Sequence, residues 1–287
     1  MSVARKVAAM SAGLALCVLG AVTVPAVAAS DSTPPVLKTP VKSSFAVGSQ
    51  ISADSWPDCG PYVPGDVWVF AKQVFRWTGS DASGHLRYDV AENPKGEESY
   101  DVLVNSTNTS YSPMTTNANQ ECGGGSWMPA SWDVTATDAA GNATTHTVSG
   151  GLFRLTQDTN KVDDSGYALP ATITYAGPWS RSHCRCWSDK TTRKTTAPGA
   201  SATIKVRVPD GEASHVGLVM AEAPDRGSAR VYIDGKLTAT VHTHASTVKN
   251  RMIVWQHALG RGTHRVKVVN VASKGHPRID LDAVLTN

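Results

Sequence analysis

No segment of this chain sustains an apolar repeat of 3.6 residues, which argues against a fold built on amphipathic helices. It has no G-x-S-x-G, no H-E-x-x-H, no phosphate-binding glycine loop and no EF-hand loop. The common signatures of serine hydrolases, zinc peptidases, nucleotide enzymes and calcium sensors are therefore missing, and no cofactor is expected. Past the N-terminal region, no second apolar run is long enough to span a bilayer. Cysteine is scarce, at five residues.

What is present starts at the N-terminus. Arg5 and Lys6 precede an apolar stretch over residues 7–24, and Ala26-Val27-Ala28 has the small residues of a cleavage site. Residues 1–28 are read as a secretory signal peptide, which places the mature chain outside the cell with no stable membrane insertion. The rival is an N-terminal anchor; Gly13, Gly20 and Pro25 favour cleavage. Cys17 lies within the apolar stretch, but Leu16 before it is too large for a typical lipoprotein box. The other four cysteines are Cys59, Cys122, Cys184 and Cys186. An even number in an exported chain favours disulfides, and two pairs suit two domains. A Cys59–Cys122 bridge would close a long loop in the first half.

The net charge of +3 hides a division. Residues 31–150 hold 6 basic and 13 acidic side chains, whereas residues 151–287 hold 19 and 11. Such asymmetry marks separate units with different surfaces. The basic half could attract an anionic polymer through its long-range field, or could simply be a solvated surface.

Residues 29–43, rich in Pro, Ser and Thr, read as an extended lead-in. Strand-like runs follow at residues 67–77, 86–90, 99–104 and 132–137, and the turn Asp138-Ala-Ala-Gly-Asn142 leads into 143–148. Ser149-Gly150-Gly151 reads as a hinge. Beyond it, Ile204, Val206 and Val208 alternate with Thr203, Lys205 and Arg207. Ala229, Val231 and Ile233 alternate with Arg230, Tyr232 and Asp234. Period-two alternation buries one set of side chains and wets the other. The expected fold is all-β throughout.

Two resemblances refine this. SDASGHLRYDV followed by WDVTATDAAGNATTHTV resembles the Ig-like repeats of exported bacterial proteins, implying an Ig-like β-sandwich over residues 44–150. GPWSRSHCRCWSDKTTRKTTAPGASATIKV, PDRGSARVYIDGK, VWQHALGRGTHRVKVV and RIDLDAVL together resemble the galactose-binding-domain-like jelly rolls, which include many carbohydrate-binding modules. That implies a jelly-roll β-sandwich over residues 151–287, acting as a non-catalytic module.

Within it, Trp179 and Trp187 flank Cys184-x-Cys186, and Trp255 precedes His257. An indole face can stack on the C–H face of a sugar ring, or plug a core. A Cys184–Cys186 bridge would hold both flanking indoles at the mouth of a site. Zinc held by His183, Cys184 and Cys186 with His242 or His244 is the rival, although the spacing matches no standard finger. His242 and His244 otherwise read as a solvated strand face. In Asp225-Arg226-Gly227, Arg226 could fork two hydrogen bonds to a ligand, with Gly227 admitting close backbone approach. The alternative is a hairpin turn with a local ion pair. Asp280 and Asp282 share a strand face at i, i+2, a spacing of about 7 Å that could suit a glycosidase. With Arg278 beside them and no separate acid loop, local pairing is the expected role.

The reading is a secreted binding protein, not an enzyme. It would recognise a polysaccharide or cell-surface glycan through Trp179, Trp187, Asp225, Arg226 and Trp255, with neither metal nor nucleic acid. A structural or adhesive protein with two spacer sandwiches is the alternative. The oligomeric state is not readable.

Overall fold

A computed structural model describes residues 31–39, 44–54, 68–94, 98–116, 129–149, 153–158, 171–188, 190–208 and 214–286. Residues 1–28, read as a signal peptide, Cys59, Cys122 and the glycines of the expected hinge lie outside the described residues. Among those residues there is no helix, hence none long and apolar enough to cross a membrane. The all-β expectation holds.

The first half comprises β1 (Val36–Lys38), β2 (Ser44–Phe45), β3 (Ser52–Asp54), β4 (Trp68–Arg76), β5 (Thr78–Ser80), β6 (Leu86–Pro94), β7 (Tyr100–Ser106), β8 (Ser110–Tyr111), β9 (Met114–Thr116), β10 (Pro129–Asp138) and β11 (Ala143–Ser149). One sheet runs β11-β10-β6-β7; β2, β3, β8 and β9 all pair with β4. The lead-in is more than a tether. Its β1 pairs with β5, and Leu37 enters a core with Phe75, Trp77, Trp132 and Val134. Phe75 and Trp132 sit 4.5 Å apart at ring centroids, a tilted contact of the favoured kind. The β10–β11 hairpin turns through Asp138, whose carboxylate accepts from the Ala140 and Asn142 amides.

The second half comprises β12 (Arg154–Gln157), β13 (Ala171–Ala176), β14 (Ser180–His183), β15 (Thr191–Thr195), β16 (Ser201–Val208), β17 (Ser214–Glu222), β18 (Ser228–Ile233), β19 (Lys236–His242), β20 (Lys249–Leu259), β21 (Gly262–Asn270), β22 (Ile279–Leu281) and β23 (Ala283–Thr286). A five-stranded sheet, β13-β16-β21-β18-β19, faces a four-stranded sheet, β12-β23-β17-β20. The ladders are antiparallel, and the two inner faces meet in a core of Ile204, Val206, Leu218, Met220, Val231, Trp255, Val266 and Val284. This is a two-sheet jelly-roll sandwich. A short third sheet, β14-β15-β22, closes one end.

The halves are not beads on a string. Phe45, Ile51, Val69 and Ala71 pack with Phe153, Leu155, Val219, Ile253, Ala283 and Leu285 in one buried cluster. Its members from the second half sit on the outer face of the four-stranded sheet, since Leu155 pairs with Leu285 while Val284 faces the inner core. Residues 48–51 also bond to β20: the Gly48 amide donates to Ile253 O, Ile253 to Ser49 O and Ile51 to Arg251 O, at 2.8–2.9 Å. The first half therefore covers one outer face of the sandwich and leaves the outer face of the five-stranded sheet to solvent.

Candidate functional site

The β14–β15 hairpin rises over the end of the sandwich. Its turn is closed by a Cys184–Cys186 disulfide, with the Cys184 amide donating to Lys190 O at 2.9 Å. The bridge expected from export chemistry is present. It does not present both indoles. Trp187 points inward, only 5% exposed, and its indole N–H has no hydrogen-bond partner among the described residues. The Trp187 amide donates to Cys184 O at 3.2 Å, closing the turn that carries this buried ring.

Trp179 differs. It is half-buried, packs against Tyr175 at 5.1 Å between ring centroids, and donates its indole N–H to Ala176 O at 3.2 Å. The Arg193 guanidinium lies 5.4 Å over the Tyr175 ring, within cation–π range. Arg181 stands opposite Arg193 in the β14–β15 register and is exposed. Tyr175 donates to Asp158 O, and burial holds its phenol proton far above the ordinary range. An aromatic pair with one partly open indole and two guanidiniums thus lines this rim.

Trp255 is a core residue. At 8% exposure it belongs to the inter-sheet cluster, and His257 stacks parallel to it at 5.9 Å. Its place on the inward-facing side of β20 removes it from any ligand surface.

Asp225 and Arg226 do not form an open fork either. Arg226 is 5% exposed and bonds both Asp225 and the fully buried Asp280. Arg278 completes the network, placing Nη2 2.8 Å from Asp280 and Nη1 3.4 Å from Asp225. Both guanidiniums engage carboxylates of the protein, and Arg226 is almost wholly buried, so it presents no open fork to a ligand. Asp225 remains exposed. Partial burial raises its pKa, but Arg226 and Arg278 outweigh that and hold it below the usual carboxylate range. Gly227 does admit a close backbone, but the visitor is internal: its amide donates to Arg278 O at 2.8 Å, and a Cβ there would lie 2.0 Å from His276 O. Gly227→Ala is expected to cost about 1–3 kcal/mol by forcing the two loops apart; a thermal or urea melt of the full chain checks it.

Asp280 and Asp282 serve different partners rather than one face. Asp282, fully buried, accepts from the Ser188 amide at 3.1 and 3.2 Å, and the Ser188 hydroxyl lies 2.9 Å from both Asp282 Oδ1 and Gln157 Oε1. Burial raises the Asp282 pKa to about 7 against the pull of these donors. The Thr191 hydroxyl donates to buried Asp158 at 2.8 Å. The chain turns between β22, which pairs with β15, and β23, which pairs with β17, and so sends the two carboxylates to separate places. Of the histidines, His244 stacks near His276 at 4.2 Å, both with Nδ1 on Pro224 O, while His242 meets Ser228. None is gathered with His183 and the cysteines, which are spent on the bridge.

Two features went unread in the sequence. A groove of about 580 Å³ lies between the halves, lined by Phe45, Val47, Lys72, Arg76, Ser110 and Gln256 among others. Its Lys72, Val74 and Arg76 project from one face of β4, an i, i+2, i+4 signal visible in the run KQVFR. The other is a trio, Asp31, Asp81 and Asp138, each placing a carboxylate oxygen within 4.8 Å of the others. Turn hydrogen bonds to Ser83, Ala140 and Asn142 account for Asp81 and Asp138.

No protein-family model matches the chain, and no curated protein matches it. Among solved structures, it is similar to the CBM36-1 domain of a multidomain xylanase from the hindgut metagenome of Trinervitermes trinervoides, at 10% identity over 47% of this chain and 96% of that one, TM-score 0.32. A family 35 carbohydrate-binding module from Clostridium thermocellum aligns at 12% identity over 46% and 96%, TM-score 0.33. A CBM35 from Cellvibrio japonicus Abf62 aligns at 14% over 47% and 92%, TM-score 0.34.

Proposed function

We propose that the chain is a secreted, non-catalytic binding protein whose C-terminal jelly roll recognises a carbohydrate of a polysaccharide or cell surface, with an Ig-like first half presenting it. The observation that carries this reading is Trp179, half-open beside Tyr175 on a disulfide-closed hairpin, with Arg181 at the same rim. An indole supplies a flat apolar face at small entropic cost, and guanidiniums supply donors for sugar hydroxyls or acids. The non-catalytic part is supported by Asp280 and Asp282, which are buried and committed to Arg226, Arg278 and Ser188 instead of facing a cleft.

The test is retention on a panel of immobilised neutral and acidic polysaccharides. Trp179→Ala is expected to weaken the best interaction about tenfold, close to 1.4 kcal/mol. Trp187→Ala, by contrast, should act on stability. Unchanged retention of Trp179→Ala across the panel would remove this rim from the reading.

A second reading, a structural or adhesive protein of two spacer sandwiches, draws on the inward Trp187 and on the core shared by both halves. It predicts no glycan retention by the wild type.

A further inference from the structure

Among the described residues, the outer face of the five-stranded sheet is basic, and only Arg265 has an acid, Asp234, close enough to act on it. Lys205, Arg207, Arg230, Arg265 and Lys267 are all exposed, on β16, β18 and β21. The five strands contain no aspartate or glutamate at all. None of these five side chains makes an ion pair among the described residues. Lys205 stands directly opposite Arg265 in the β16–β21 register. Like charges placed opposite each other destabilise a sheet, so the fold carries a small standing cost here.

Among the described residues, the rest of the domain offers little relief. Six acidic residues of the second half are described. Asp158, Asp280 and Asp282 are buried. Asp225 is held by Arg226 and Arg278, Asp234 by His264 and the Arg265 amide, and Glu222 faces Lys249. The charge division seen in the sequence thus has a structural form: the described acids turn inward or pair, and five of the 19 cations stand together on one sheet face. The first half docks on the opposite side of the sandwich, through the four-stranded sheet, and leaves this face uncovered.

We infer that this face binds an acidic polysaccharide, a linear sugar polymer bearing carboxylates at intervals. It does so independently of the Trp179 rim. Three observations select that occupant. The charges are spread over three strands, so one small anion cannot neutralise them, whereas a polymer laid across the sheet can. The positions between them are hydroxyls: Thr172 pairs with Lys205, Thr203 with Lys267, and Thr263 with Arg207. These suit sugar hydroxyls. Tyr232 is the one Phe, Tyr or Trp on the face, too few for the successive stacking that single-stranded nucleic acid uses, and the face carries no helix to enter a duplex groove. A second copy is the competing occupant, because the neutral donors that reach Asp133 and Asp89 on the first half's sheet leave their charges in place; self-association of the full chain that the charge reversal abolishes would overturn the proposal.

The experiment uses the full chain and polygalacturonate, with neutral galactan and duplex DNA as competitors, at low and high salt. Lys205→Glu with Arg265→Glu, an exposed pair whose reversal leaves the core untouched, is expected to weaken polygalacturonate binding tenfold or more. The salt dependence should flatten, since fewer counterions are released. Lys205→Arg with Arg265→Lys should bind as the wild type does. Polygalacturonate binding that survives the charge reversal overturns the proposal, as does duplex DNA competing as well as polygalacturonate. Trp179→Ala separates the two sites: it should leave polygalacturonate binding intact, so its loss of another glycan would speak only to the rim.

Discussion

Replacing Arg226 with alanine is expected to lower the unfolding free energy by about 3–5 kcal/mol. Asp280 is fully buried, and Arg226 is one of two cations that reach it. Removing the guanidinium leaves a carboxylate in a low-dielectric site with half its compensation. Arg278 remains, 2.8 Å away, but its side chain is 21% exposed and it also serves Asp225. The loss should therefore be large without being total. Urea titrations of wild type and variant, with equal slopes, would measure it as a shift in midpoint. The informative comparison is the double variant. Arg226→Met with Asp280→Leu removes both charges and should recover most of the loss, because a buried pair is worth little against apolar packing of similar volume. A single variant within about 1 kcal/mol of wild type would mean that Arg278 or water suffices to compensate Asp280.

The second large effect is a stability that falls as pH rises. Asp282 has a folded-state pKa of about 7 against 3.8 for the free side chain, burial being the chief cause. Between these values the unfolded chain has lost the proton and the folded chain keeps it. The folded state therefore binds more protons, and stability declines with pH through that window. Below pH 4 both states are protonated and the effect is absent; above pH 7 it is complete. The separation corresponds to roughly 4 kcal/mol at its full extent. Asp282→Asn removes the ionisation while keeping an oxygen to accept from the Ser188 amide. It should flatten the profile between pH 4 and 7 and raise stability at neutral pH. Parallel profiles for the two proteins would refute the assignment.

The strands were legible because alternation is a local signal. Ile204, Val206 and Val208 face inward as their spacing requires, and the Asp138–Asn142 turn sits where its residue types place it. The orientation of the indoles was not legible, because burial of a loop residue depends on what packs over it. Trp187 and Trp179 flank the same disulfide, yet one is buried and the other half-exposed. Arg226 misled for a related reason. Its adjacent Asp225 was visible, but Asp280, 54 residues away, comes beside it only through the parallel bridge between Arg226 and Arg278. The core shared by the halves was hidden too, since Phe45 and Ile253 meet across about two hundred positions. The charge division, by contrast, was countable at once, and needed only the strand register to become a surface.

Strand β20 ends the four-stranded sheet, and a bare sheet edge invites pairing with other chains. Residues 48–51, donated by the first half, occupy that edge along β20. A fragment cut at the glycine pair near residue 150 would lose this cover and expose Phe153, Leu155 and Ile253 in the same stroke. Division at the glycine pair is therefore expected to leave a C-terminal sandwich prone to aggregate, bared along an edge now covered by a segment encoded a hundred residues upstream of its own first strand.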